Sequence, residues 1–439
     1  MPSSSAASLA QTLQNKAAPP GHKIIREGNG VMIFPEQNQV FYNPVQVLNR
    51  DLSIAMISEF ARTRACEQLT KEARKAANAA GEGATFVPKD YSDEEIEKHL
   101  VDTAEDKGIR IFEALSASGK QPEVCFSRYG ALPNKSHYLH EMALRMVLQT
   151  IESSANRYAR HIVPIASCSI DFYVRVFVRV YKSPVNVKKA MTKLSYVYQC
   201  VQCESFHLQP LGVSSGNSYH ASRGPIVGLE CDQCKGKYKM AGPIWSAPLH
   251  SRDVVLKIRD RVEKSTSEFP TKPRLHGLLT TISEELVDAP LHYTLPGMCK
   301  VLHCSNPRMS QIQGAIRHAG YEVSQFHKVP DAVKTTAPND VIWDIMRCWV
   351  KKHPLNKKRD GEDTPGSRIL AKEPKFEANF SSKRPGPNDK PKALRFPLNP
   401  EPNWGPKARA VGNRADDATP AAKSEDKVEE PDAKKAKME

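Results

Sequence analysis

Two C-x2-C pairs carry the clearest chemistry in this chain: Cys200-Val-Gln-Cys203 and Cys231-Asp-Gln-Cys234, separated by 27 residues that include a Gly/Ser loop. Two intervening residues let both sulfurs of a pair face one side of a metal ion. Four thiolates suit tetrahedral zinc, and the chelate closes a loop too polar to bury much core. With no open ligand position, the expected metal is structural, not catalytic. His207 is an alternative ligand to one of the cysteines; a surface histidine is the plainer reading. Cys66, Cys125, Cys168, Cys299, Cys304 and Cys348 stand singly and read as small buried residues. No apolar segment follows the N-terminus, so the ten cysteines are expected to be thiols and metal ligands, not disulfides.

A second stretch points to ligand binding. Residues 111–130 read IFEALSASGKQPEVCFSRYG. An apolar strand start, the acidic Glu113 and small residues bending at Gly119 look like the opening of a nucleotide site. Such a bend normally leads into a helix; here Lys120-Gln121-Pro122 follows. A lone small-residue turn carries little by itself.

The elements that must position these groups follow from pattern and composition. A length of 439 residues suggests two or three domains, and 40% apolar content suffices for real cores. A net charge of +14 favours an anionic partner, nucleic acid first and acidic membrane second. No run of 18 apolar residues exists, so no membrane-spanning helix is expected. Residues 1–20 carry only Lys16 as a charge, a poor mitochondrial presequence. GVMIF and QVFY suggest short strands. Residues 51–80 read as a helix, and YSDEEIEKHL as a helix capped by Ser92 with Glu95 at N3. Residues 136–158 form a strong amphipathic helix pattern. HIVPIASCSI and FYVRVFVRVYK read as strands, the second with Tyr173, Arg175, Phe177 and Arg179 on one side and valines on the other. For those arginines a solvated sheet face ranks slightly ahead of RNA contact. SQIQGAIRHAG feeding YEVSQFHKV has the order of a winged-helix module.

Further segments occur in order: FYNPVQVLNRDLS (41–53), EALSASG (113–119), SRYG (127–130), HEMALR (140–145) and DFYVRVFVRV (171–180). The cysteine pairs, GPIWSAPLH (242–250), PLHYTL (290–295), KTTAP (334–338), WDIMRCW (343–349) and NPEPNWGP (399–406) follow. Taken together, they resemble one family, the tRNA guanine-N2 dimethyltransferases. The resemblance implies an α/β architecture: an incomplete Rossmann-like S-adenosylmethionine methyltransferase domain, a four-cysteine zinc module and an α+β winged-helix-like C-terminal domain. The expected boundaries are a disordered 1–21, the truncated methyltransferase domain 22–182, the zinc module 183–250, a tRNA-binding-like domain 251–356 and a disordered tail 357–439. It implies S-adenosylmethionine contacts at Arg50, Ser116 and Gly119; by residue type alone, Arg50 equally suits an ion pair with Asp51. tRNA is the implied partner. Its contacts are expected at Arg308, Arg317, His318, Lys328 and Lys334, though Arg317 and His318 equally suit ordinary solvated positions. The implied location is the nucleus, with mitochondrion or cytoplasm as alternatives; Lys434, Lys435 and Lys437 form a small candidate import patch. Trp404-Gly405, among prolines, suits either a docked tail or a free linker. The sequence fixes no oligomeric state.

One departure from the family pattern matters. After Gly119 the expected helix, the acidic residue that holds the ribose and the Asp-Pro-aromatic-Gly motif are all missing, a loss on the order of a hundred residues at about thirty per βαβ unit. The exocyclic amine of guanine is a poor nucleophile, because its lone pair is delocalised into the ring. A carboxylate that accepts the amine hydrogens is what orients it in the family. Here Glu141, on the helix beside His140, is the nearest substitute, with a structural salt bridge the stronger reading. The catalytic residues are therefore unassigned, and weak or absent cofactor binding is expected. The reading that follows is methyl transfer to guanine N2 of tRNA, with a catalytically inactive tRNA-binding variant as the alternative. A zinc-dependent DNA-binding regulator ranks below both.

Overall fold

Where apolar residues recur at helical spacing the chain coils, and where they alternate it extends. The computed structural model describes residues 18–28, 30–35, 42–81, 85–103, 122–171, 173–216, 218–265, 268–354, 363–381 and 395–396. Residues 44–406 and residues 2–43 with 407–439 fall in separate compact units. In the smaller unit, β1 (His22–Glu27) and β2 (Gly30–Pro35) pair as an antiparallel hairpin.

The larger unit opens with α1 (Val47–Ala79), which buries Leu48, Leu52, Ala55 and Met56, one face at i, i+4, i+7 and i+8. α2 (Asp93–Asp102) has the expected capping box: Ser92 Oγ accepts from the Glu95 amide, and the Glu95 carboxylate accepts from the Ser92 amide. α3 (Pro122–Tyr129) and α4 (Leu139–Asn156) lead into β3 (Arg160–Ile170) and β4 (Tyr173–Lys182). These strands pair antiparallel from Arg160↔Lys182 to Ile170↔Tyr173, with an irregularity between Pro164 and Ala166. Among the described residues this sheet has two strands.

Both faces of β4 are partly covered as far as Arg179, while Val180, Tyr181 and Lys182 are exposed. Val176 and Val178 pack near Leu148, Ile162 and Trp245, while Phe177 joins the cluster of Leu48, Leu52, Ala166 and Leu279. The arginine side is neither a free solvated face nor an RNA face. Arg175 donates to the Asn49 carbonyl and to Ser53 of α1, and Arg179 grips Glu67 through two bonds of 2.9 and 3.1 Å. The period-two pattern was legible, but the helix that covers it lies more than a hundred residues earlier.

β5 (Leu194–Cys200) is central in a three-stranded sheet between β6 (Phe206–Pro210) and β9 (Tyr238–Trp245). β7 (Gly212–Ser215) and β8 (Ser218–Ala221) form a small hairpin. α5 (Arg252–Lys264) and α6 (Lys272–Glu284) pack against α1. β10 (Tyr293–Thr294), α7 (Leu295–Leu302), α8 (Met309–His318), β11 (Val323–Phe326) and β12 (Val329–Thr335) follow, with sheet order β10–β12–β11. α9 (Asn339–Lys352) buries Trp343 and Met346 in a cluster that also contains the four paired cysteines. The zinc-module cysteines and the C-terminal helices therefore share one core.

The tail expected to be disordered from residue 357 contains an ordered part. α10 (Pro365–Leu370) buries Ile369, and Ala378 is buried beside Phe376 and Phe380 against α9. The surrounding lysines and prolines hid these few apolar anchors in the composition. No helix among the described residues is long and apolar enough to cross a membrane.

Candidate metal centre and buried charge network

Cys200 sits at the end of β5, and Cys203 closes the turn that follows; Cys231 and Cys234 lie on the turn that leads into β9. Pairing of Cys200 with Tyr238 in the β5–β9 register brings the two turns together. The Cys231 amide donates to the Gly236 carbonyl (2.7 Å), the Lys235 amide returns to Cys231 O (2.9 Å), and Lys235 has φ 62°. A Cβ at Gly236 would stand 2.9 Å from Gln202 Oε1 and 3.1 Å from Cys200 Sγ, so glycine there lets the turn lie close against Cys200. All four sulfurs are buried and lie within 4.8 Å of one another. Sγ–Sγ distances are 3.3 Å for Cys200–Cys234 and 3.7 Å for Cys203–Cys231. A tetrahedron with metal–sulfur bonds of ~2.3 Å has edges of about 3.8 Å, so the donor set fits a soft tetrahedral ion. His207 is outside this set and bonds instead to Tyr238 Oη (3.2 Å) and Asn339 Nδ2 (3.3 Å). The turns are clamped from the C-terminal side. Arg347 donates to Gln233 Oε1 (2.8 Å), Arg368 to Cys234 O (3.2 Å), and Trp343 Nε1 to Ser205 Oγ (2.8 Å).

The second constellation is a charge network centred on Glu141, which has no solvent exposure. Its Oε1 accepts from Arg145 Nε (2.9 Å) and Nη2 (2.8 Å), the Leu291 amide (2.8 Å) and Lys334 Nζ (2.7 Å). Its Oε2 accepts from His292 Nδ1 (2.9 Å). Arg145 Nη1 continues to the carbonyls of Trp245 (2.8 Å) and Ala247 (3.1 Å), and Lys334 Nζ to Ala289 O (2.9 Å). Burial alone would raise the Glu141 carboxyl. The Lys334 ammonium, the Arg145 guanidinium and the His292 hydrogen bond hold it well below the usual carboxylate range. A carboxylate with five donors already in place has no capacity to orient an incoming amine. Glu141 is thus the structural ion pair, and its sequence candidacy as a catalytic substitute ends here.

Close by, His250, Glu285 and His327 have ligand atoms within 4.8 Å of one another, all buried. The Ser167 amide donates to His250 Nδ1 (3.2 Å) and the Ser169 amide to His327 Nε2 (2.8 Å). Those nitrogens are acceptors, so the ring protons sit on His250 Nε2 and His327 Nδ1. Both protons face Glu285, at 3.4 and 2.7 Å. A metal-bound imidazole points its lone pair at the ion and donates its other N–H outward. The arrangement here is the reverse, so the trio is a hydrogen-bonded clamp and not a metal site. Burial pulls His250 below the usual histidine range. Burial pushes the Glu285 carboxyl up, but His327 and His250 outweigh it and leave it below the usual carboxylate range.

The remaining sequence candidates divide. Arg50 lies in the first turns of α1, half-buried, next to Asp51, whose carboxylate accepts from the Thr271 amide (2.8 Å). Ser116 and Gly119 lie outside the described residues, as do Trp404 and the lysines at 434, 435 and 437. Arg308, Arg317 and His318 are exposed at the two ends of α8. Lys328 is half-buried, its Nζ on Asp171 O (3.0 Å). Lys334 is a correction: it is 1% exposed and bound to Glu141, so its side chain does not present a charge to RNA. A lysine in a short run of threonines reads as surface by composition. Its carboxylate partner 193 residues away could not be inferred locally. Reasoning from sequence also missed Arg145, His292, His250, Glu285 and His327. The signal was present in the resembling segments: HEMALR, GPIWSAPLH, PLHYTL and KTTAP all contribute residues to this one network.

The sequence pattern described as N2,N2-dimethylguanosine tRNA methyltransferase matches residues 21–121 and 118–347. The two matched stretches meet at the Gly119–Lys120 junction. The chain is 49% identical over 299 residues to tRNA (guanine(26)-N(2))-dimethyltransferase 2 of Arabidopsis thaliana, covering 66% of this chain and 50% of that protein. To the mouse tRNA (guanine(26)-N(2))-dimethyltransferase it is 33% identical over 511 residues, covering 88% of this chain and 76% of the other. Since 88% of 439 residues is about 386, the mouse protein has on the order of a hundred residues with no counterpart here. The chain spans about half the length of the Arabidopsis relative. A solved structure of Trm1 from Pyrococcus horikoshii with S-adenosyl-L-methionine matches with a TM-score of 0.51 at 20% identity, over 73% of this chain and 98% of that one. That last likeness is one of fold: mixed α/β.

Proposed function

The chain belongs to the family of N2,N2-dimethylguanosine tRNA methyltransferases, and from that premise we propose that its lineage reaction is methyl transfer from S-adenosylmethionine to N2 of guanine 26 in tRNA. The cofactor supplies an electrophilic sulfonium methyl when bound. Arg50 would contact it, and Ser116 and Gly119 would let the backbone approach it. Cys200, Cys203, Cys231 and Cys234 would hold a structural zinc that ties β5 and β9 to the C-terminal core. Arg308, Arg317, His318 and Lys328 would lie along the tRNA backbone, where basic side chains release counterions from phosphate. The order α6–β10–α7–α8–β11–β12, with sheet order β10–β12–β11, supports a winged-helix-like reading of this part. The nucleus is the proposed location.

A second reading is favoured by one observation. The best local substitute for the missing amine acceptor, Glu141, is consumed by five donors. A chain with that carboxylate occupied suits a tRNA-binding member with little or no turnover. Such a protein would compete with or regulate a full-length enzyme. Isothermal titration of the full chain with S-adenosylmethionine separates the readings: the second requires binding weaker than micromolar. Mass spectrometry of nucleosides from treated tRNA gives the complementary readout, and accumulation of methylated guanosine at position 26 overturns the second reading. Filter binding with tRNA against duplex DNA at fixed salt tests the partner, and equal retention of both would remove tRNA specificity.

A further inference from the structure

α7 ends in a left-handed turn. His303 has φ 55° and ψ 34°, its amide returns to Lys300 O (3.4 Å), and the next amide, Cys304 N, returns to Cys299 O (3.1 Å). This pair of bonds is the Schellman arrangement, in which the residue after the left-handed one folds back over the helix residue five positions earlier and their side chains meet. Usually that contact is between two apolar groups. Here both positions are cysteine, so two thiols that stand alone in the sequence face each other in space. Cys299 is 3% exposed within the C-terminal core, and Cys304 is half-buried at its edge. The Cys299 thiol donates to the Ser305 carbonyl (3.8 Å). The neighbouring thiol holds Cys304 below its usual range and, with burial, pushes Cys299 up. The solvent-side sulfur is therefore the better nucleophile and the buried one the resolving partner.

We propose that Cys299 and Cys304 form an oxidisable dithiol, a modification site at the end of α7 whose co-reactant is a peroxide. The Cys304 thiolate attacks one peroxide oxygen, the O–O bond breaks, and hydroxide leaves and is protonated to water; Cys304 becomes a sulfenic acid. Cys299 sulfur then attacks that sulfur, the S–S bond forms, and the hydroxyl departs with the Cys299 proton as a second water. Two thiols lose two electrons in all, and the peroxide is reduced to two waters. The backbone is already suited to the product. A disulfide needs Cα atoms about 4.4–6.8 Å apart, a separation that a turn closed by a backbone bond between the same two residues can supply. The tetrahedral cysteine set is separate: its sulfurs point at one another, on the turns flanking β5 and β9.

The test is a hydrogen peroxide titration of the native full chain, followed by peptide mapping with mass spectrometry. The expected result is a Cys299–Cys304 link that forms at lower peroxide than any modification of Cys200, Cys203, Cys231 or Cys234, and that reverses with dithiothreitol. In Cys299→Ser, Cys304 should be trapped by dimedone as a sulfenic acid, with at least a tenfold gain in labelling over the native chain. Cys304→Ser should lose both the link and the labelling. Should Cys304→Ser fold poorly, Cys304→Ala supplies the same readout without a buried hydroxyl. Cys304 recovered from the native chain as an unlinked sulfinic acid, or labelling equal in the native chain and Cys299→Ser, would overturn the proposal.

Discussion

Around α1 most ion pairs lie at the surface, the bond of Arg261 to the buried Glu59 excepted; the pairs of Glu141 on α4 lie in the core. Arg62 meets Asp93, Arg64 meets Glu67 and Arg179 meets Glu67, each with at least one partner well exposed to water. Pairs of this kind contribute about 0–1 kcal/mol apiece. Around α4, Glu141, Arg145, His292 and Lys334 are all buried and bonded to one another and to backbone, with His292 Nε2 left without a partner. Removal of one member of such a set leaves the others charged in a low dielectric. The contrast teaches that the surface pairs along α1 can be lost one at a time at little cost, whereas the network at Glu141 stands or falls as a unit.

The comparison can be broken most severely at the cysteine turns. Cys234→Ser should abolish stoichiometric zinc, as read by plasma mass spectrometry, and remove metal-linked stability on the order of 10 kcal/mol. Retained zinc with unchanged melting would show that the four sulfurs are not a metal centre. Next, Glu141→Ala should cost about 3–5 kcal/mol in denaturant unfolding, because Lys334 and Arg145 lose their shared counter-charge. A cost below about 1 kcal/mol would place this network with the surface pairs.

Acid should act on the C-terminal body first. His250 and His292 have folded values below their unfolded ones, so the unfolded chain binds protons that the folded chain refuses. Stability then falls as pH drops below about 6.5, the usual histidine value. Glu285 and Glu141 are also lowered, and their contribution is lost as pH falls from about 4.3 toward their folded values. Melting curves from pH 8 to 4 should show a steady loss beginning near 6.5; a flat curve down to pH 5 would refute the burial of neutral histidines. The smallest effect is expected at the surface. Ser92→Ala should cost about 1 kcal/mol, visible as faster amide exchange confined to α2.

What was legible in the sequence was local. Ser92 with Glu95, the amphipathic run of α4, the alternation of β4 and each C-x2-C pair declare themselves within about two dozen residues. What was illegible was partnership across the chain. Nothing near Lys334 signals Glu141, and nothing in FYVRVFVRV says that α1 will take its arginines. The backbone bond that joins Cys304 to Cys299 was hidden for a different reason: it needs a left-handed residue at position 303, where a histidine gives no warning that glycine would have given.

α4 also sets a clock. Glu141 and Arg145 leave the ribosome together, but the lysine that completes their set follows 193 residues later. At synthesis rates of about 5–20 residues per second, that is a wait of roughly ten to forty seconds. During it the helix has an internal pair and no interior in which to bury it. The first half of the polypeptide must stay open, or be held open, until the second half arrives to close it.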